Sequence, residues 1–205
     1  MTSDPAPSPG TPDLRDVGEI EEAYTGTGPR VVVLGDSLTA ISRQPLRAAL
    51  HGHALMIGAL WGEGLGGGPI SSAVDRRIMQ ETARAYGATH PEVAVLALGV
   101  NDCWLDFLSL DGALEGLRSI ATSLEGAKLV GVMITETSPV PEFDNERAGL
   151  INDALRDRTD VVVEWGAIEE TARYLEADRI HPNPEGSKLF ASMVAEGVAR
   201  ARGLS

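Results

Sequence analysis

A single cysteine, Cys103, stands among the 205 residues, which excludes an internal disulfide framework and suits a reducing compartment. No run of 18 apolar residues occurs anywhere, so the pattern holds no transmembrane helix. The N-terminus, MTSDPAPSPGTPDLRDVGEIEE, lacks both a basic stretch and an apolar one, and no secretory leader is legible in it. The expectation on these grounds is a cytoplasmic protein. Positive charge is scarce as well: 17 Lys and Arg against 30 Asp and Glu give a formal net charge of −13. A phosphate backbone is bound through clustered Lys and Arg, so nucleic acid is excluded as a partner.

What is present suits one packed domain, with 43% hydrophobic and 23% charged residues over a length that buries a single core. Residues 1–13 hold four of the 12 prolines beside Ser, Thr, Asp and Gly, a composition that buries too little apolar surface to offset chain entropy. The expected division is a mostly flexible tail over 1–28 and a folded domain over 29–205.

Short apolar runs alternate with longer helical patterns through that domain. The runs are 31–34, 54–57, 93–98, 129–134 and 161–163, each of strand length and several rich in Val. Apolar residues at three and four spacing mark helices over 70–86, 110–124, 146–156 and 168–175. In the stretch NPEGSKLFASMVAEGVARA, Asn183 can cap a last helix with Pro184 in its first turn. Five strands alternating with helices predict a three-layer α/β/α domain, flavodoxin-like, with a five-stranded parallel sheet in the order 2-1-3-4-5. Ligands of such sheets sit beyond the carboxyl ends of the strands where strand order reverses. The loops to inspect therefore follow Leu34 and Leu98.

Those loops read GDSLTA and GVNDCW, which sets Ser37 and Asn101 across one crevice as a nucleophile and an oxyanion donor. Such a serine needs a base. His51, His53 and His90 precede strands and fall at the wrong end of the sheet, which leaves His181 in EADRIHPNPEG. Asp178, three residues earlier, can reach Nδ1 of that imidazole from within one turn and leave Nε2 to take the serine proton. Asp102 competes as the acid, yet it lies across the crevice, where anchoring the Asn101 loop is its expected task.

The blocks VLGDSLT, a glycine-rich loop, LGVND and DRIHPNPEG, in this order over residues 31–186, resemble the GDSL esterase/lipase family, also called SGNH hydrolases. The resemblance implies Ser37 as nucleophile, His181 as base and Asp178 as acid. It also implies an oxyanion hole of the Ser37 and second-block glycine N–H groups with the Asn101 amide. The implied activity is hydrolysis of an ester or thioester, with acyl transfer or a non-catalytic binding role on the same fold as the alternatives; short connections without a large lid or insertion favour a small or short-acyl substrate. No cofactor and no metal is implied. The second block departs from the family pattern: MIGALWGEGLGGG carries no Asn, and Gly62 fits the oxyanion position best, with Gly64 as the alternative.

Several plainer readings compete. GDSLTA can be a turn in which Asp36 or Ser37 merely caps a helix. Gly62, Gly64 and Gly67 match GxGxxG, but they follow the second strand and the next strand ends without an acidic residue, so a dinucleotide site is excluded. The HGH turn offers two histidines without a carboxylate or cysteine partner, which is a poor metal site. Cys103 has no histidine in its segment and is expected in the core. Trp61, Trp104 and Phe107 fall near the crevice and either line an acyl pocket or belong to the core.

Overall fold

The computed structural model describes residues 19–66, 78–104, 109–168 and 171–203. The predicted strands appear as β2 (Arg30–Gly35), β3 (Ala54–Ala59), β4 (Val93–Ala97), β5 (Lys128–Val132) and β6 (Val161–Val163). They pair in parallel in the order β3-β2-β4-β5-β6, which is the expected 2-1-3-4-5. The strand count differs. A two-residue strand, β1 (Glu19–Ile20), adds antiparallel to β3 and makes the sheet six-stranded. The ladder therefore takes in residues ahead of the boundary expected at 28, and Thr25 bridges Leu55 just after it.

What holds β1 is a buried ion cluster. Glu21 is 7% exposed; it accepts hydrogen bonds from Arg43 and Arg47 and, at 3.0 Å, from the Ile57 N–H. Both arginines belong to α2 (Arg43–Ala49), a helix absent from the sequence reading. Leu46 is its one buried side chain, which left too faint a periodicity to read.

The remaining helices are α1 (Ser37–Ile41), α3 (Ile78–Gly87), α4 (Leu110–Ser123), α5 (Asn145–Arg156), α6 (Thr171–Tyr174) and α7 (Pro184–Arg202). The predicted 70–86 helix is described only from Ile78, and residues 70–77, Gly67 and Phe107 lie outside the described residues. Right-handed crossovers place the helices. The chain moves one way from β2 to β3 and the other way from β3 through β6, so α2 lies on one face and α3, α4 and α5 on the other. The last helix, α7, returns to pack against α2 and against β4, β5 and β6. All five residues of β4 are buried, as are all but the first of β2, which a sheet covered on both faces requires. The strand order reverses between β2 and β4, and the segments carrying Ser37 and Asn101 leave the carboxyl ends of those two strands.

Candidate active site

Gly35 ends β2 against Thr39: a Cβ built on it would stand 1.9 Å from the threonine Oγ1, so only glycine lets α1 fold back this tightly. The Asp36 side chain then caps α1, accepting from the Leu38 N–H at 3.0 Å. Ser37 is the first residue of that helix and is 2% exposed. Capping and site geometry therefore coexist here, because Asp36 does the first and frees the Ser37 hydroxyl for the second.

That hydroxyl stands 3.0 Å from Nε2 of His181, and Nδ1 of the same ring stands 2.7 Å from Oδ2 of Asp178. The structure thus brings together the three residues singled out in the sequence, across 144 positions of chain between Ser37 and His181. The other Asp178 oxygen accepts from the N–H groups of Ile180 and His181 at 2.9 and 3.0 Å. Partial burial works to raise the Asp178 carboxyl. The hydrogen bonds from the His181 ring and from those two N–H groups outweigh it and hold the group below its ordinary value.

The loop bearing the pair is closed on itself. The Glu176 N–H donates to the His181 carbonyl at 2.8 Å, and Leu175 bridges Pro182. Asn183 fastens its exit: Oδ1 accepts from the Glu185 and Gly186 N–H groups to cap α7, while Nδ2 donates to the Arg173 and Leu175 carbonyls. The sequence announced the cap and not the second task of the same amide.

On the other side of the serine, Asn101 opens a 3₁₀ turn, Asn101–Cys103, after Gly99, whose φ of +119° favours glycine. Its Nδ2 donates to the Glu63 carbonyl at 2.9 Å. A primary amide carries two N–H groups, so one is spent on the glycine loop and the other stays available. Asp102 does more than anchor its own loop: its carboxylate accepts from the Leu65 and Gly66 N–H groups at 2.7 and 3.2 Å, which ties the second block to the third. Gly64 lies against that carboxylate, and a Cβ there would meet Oδ2 at 2.6 Å. Gly62 adopts φ +71°, the left-handed turn that glycine favours.

Three acids are buried around this junction. Burial raises Asp36 to about 8 against the pull of the Leu38 N–H, with the Asp102 charge adding to the rise. Burial likewise raises Glu63 to about 7 and Asp102 to about 6. The Glu63 Oε1 is buried without a hydrogen-bond partner. Cys103 is fully buried, donates to the Gly99 carbonyl at 3.3 Å, and is held as a thiol by burial, so it belongs to the core.

The other histidines lie away from the site. His51 and His53 place Nδ1 3.0 and 3.3 Å from the Ala48 and Leu50 carbonyls at the end of α2. His90 sits in a left-handed turn before Pro91. Trp104 packs edge-on to Phe143 with centroids 5.6 Å apart, whereas Trp61 packs against the His181 ring itself, at 4.8 Å and 37°. A small apolar cleft of about 40 Å³, lined by Leu98, Val100, Ile134, Trp165, Ile180 and Phe190 among others, opens beneath the His181 loop. Ser37, Gly62, Asn101 and His181 do not line it.

No protein-family model matches this sequence, and no curated protein matches it. Solved structures do. A GDSL-like lipase from Bacteroides thetaiotaomicron is similar with a TM-score of 0.65 at 14% identity, over 84% of this chain and 88% of that one. The carbohydrate acetylesterase Est24 from Sinorhizobium meliloti is similar with a TM-score of 0.64 at 16% identity, over 83% and 99%. The catalytic domain of the Streptococcus pneumoniae peptidoglycan O-acetyltransferase A is similar with a TM-score of 0.62 at 19% identity, over 87% and 97%. The chain therefore has the fold of the GDSL-like lipases and carbohydrate esterases, the fold that its motif resemblance implies. Among the described residues, no helix is long and apolar enough to cross a membrane.

Proposed function

We propose that this chain is a serine hydrolase cleaving an ester or thioester of a small or short-chain acyl group through an acyl-enzyme. The observation that carries this reading is the unbroken hydrogen-bonded line from Ser37 through His181 to Asp178, at 3.0 and 2.7 Å.

In the proposed reaction the Ser37 Oγ attacks the substrate carbonyl as its proton passes to His181 Nε2, and the carbonyl electrons move onto oxygen. Asp178 holds the ring tautomer through Nδ1 and faces the imidazolium that results. The Ser37 and Gly62 N–H groups and the free Asn101 N–H take the oxyanion. His181 then gives its proton to the departing alkoxide or thiolate. Water, activated by the same imidazole, resolves the acyl-enzyme. Gly62 is preferred to Gly64 because its left-handed backbone turns the chain beside His181, while Gly64 is committed to the close approach of Asp102. We assign residues 29–205 as the catalytic domain, joined at its sheet edge by Glu19–Ile20, and the cytoplasm as its compartment, with which a lone cysteine is compatible.

The test is release of p-nitrophenol from acetate, butyrate and octanoate esters by wild type and Ser37→Ala between pH 6 and 9. Loss of about 10⁶ in kcat is expected in the variant; equal rates for the two proteins would overturn the reading. A second reading, an O-acyltransferase that resolves the same acyl-enzyme with an alcohol, is favoured by the likeness to the O-acetyltransferase domain. Product analysis with sugar and alcohol acceptors separates the two.

A further inference from the structure

Both nitrogens of the His181 imidazole are engaged at its edge, Nδ1 by Asp178 and Nε2 by Ser37. Only its faces remain to fix the ring plane, and the Trp61 indole lies against the ring at 4.8 Å with an interplanar angle of 37°. The indole is not brought there by a polar anchor, since its Nε1 is buried without a hydrogen-bond partner. The next residue, Gly62, takes φ +71°, so the indole facing His181 and the N–H assigned to the oxyanion belong to adjacent positions of one glycine-permitted turn.

Resting on the hydrolase reading above, we infer that Trp61 is a positioning residue for His181, holding the imidazole plane and stabilising the imidazolium that forms as Ser37 attacks. The indole quadrupole presents negative charge at its face and attracts a cation placed over it. The neutral ring of the resting state gains little from this, whereas the cationic ring gains more, so the contact acts on the step that charges His181. His181 is partly exposed, with 23% of its side chain open to solvent, and the indole also keeps water from one face of it.

The expected signature is a loss in kcat with little change in KM. Trp61→Leu should lower kcat by roughly 3- to 30-fold, the range set by a contact of that kind, and Trp61→Phe should restore most of it, because a phenyl face supplies the same quadrupole more weakly. A purely structural role would lower the melting temperature and raise KM alike in both variants, and that pattern would overturn the inference. So would unchanged kcat in Trp61→Leu. A second arm needs no turnover: the indole ring current displaces the NMR signals of the His181 ring protons, in wild type and in Ser37→Ala alike, and Trp61→Leu should return them toward ordinary imidazole positions. Signals unchanged between Trp61→Leu and wild type at one fixed pH would remove the Trp61 to His181 contact from consideration. If Ser37→Ala proved as active as wild type, the hydrolase reading would fail while this arm still decided the contact.

Discussion

The Asn101 side-chain amide donates to the Glu63 carbonyl at 2.9 Å, which fixes the loop after β4 to the loop after β3 over 38 residues of sequence. A substitution at Asn101 therefore has two consequences to separate. On the proposed reading, Asn101→Ala should lower kcat by about 10²–10³, roughly 2.7–4 kcal/mol, through loss of an oxyanion donor. KM for p-nitrophenyl butyrate should change little by comparison. A loss seen in KM alone would assign the amide to loop anchoring only.

On the proposed reading, Asp178 is worth less than Ser37 or His181. Asp178→Asn keeps the side chain in shape but removes the negative charge facing Nδ1, so kcat should fall by about 10⁴. The melting temperature should barely move, because the residue is half exposed. Activity within tenfold of wild type would point to another acid.

The buried Asp36 makes stability depend on pH. Its folded value of about 8 lies above the ordinary 3.8, so below about pH 4 both folded and unfolded chains hold the proton and nothing is lost. Between 4 and 8 the unfolded chain releases that proton first, and stability declines until pH passes about 8. Asn offers the same oxygen to the Leu38 N–H without titrating. Asp36→Asn should therefore gain in melting temperature relative to wild type as pH rises from 4 to 8; a gap that stays constant with pH would rule out the titration.

Gly64→Ala tests the packing between the second and third blocks. The added methyl would sit 2.6 Å from the Asp102 Oδ2, an atom pinned by the Leu65 N–H while the Gly66 N–H holds the other oxygen, Oδ1. Urea unfolding should show a loss of about 1–3 kcal/mol. A neutral result would mean that the carboxylate moves aside freely.

Removing the charge of Glu21 should loosen the sheet edge. Glu21→Ala leaves Arg43 facing a void and the Ile57 N–H without its acceptor, for an expected cost of about 3 kcal/mol in urea unfolding. Activity per folded molecule should be retained, since the hydrogen bonds of the cluster run among Glu21, Arg43, Arg47, Glu19 and Ile57 and not to Ser37 or His181.

The parts of this molecule that the sequence spelled out are those governed by local rules. Short apolar runs, several rich in Val, named the five parallel strands, and the order of glycine turns located the crevice. Asp178 and His181 could be paired because three residues of one loop separate them. The parts that stayed hidden depend on partners far along the chain. Glu19–Ile20 has no strand pattern of its own and becomes one through the ladder with β3 and the Glu21 cluster. The α2 helix buries only Leu46, so its register is set by arginines reaching Glu21. Asp102 was placed in the right loop, yet its bonds run to Leu65 and Gly66, a destination that no spacing encodes.

Ser37 is made early in the chain, and His181, its hydrogen-bond partner, sits just before α7, held there by Asn183 at the start of that helix. On the proposed reading, a nascent polypeptide that has not yet delivered α7 carries an ordinary alcohol in place of a nucleophile. Reactivity then arrives with the last helix, so a truncated or stalled product is chemically silent even where its sheet has formed.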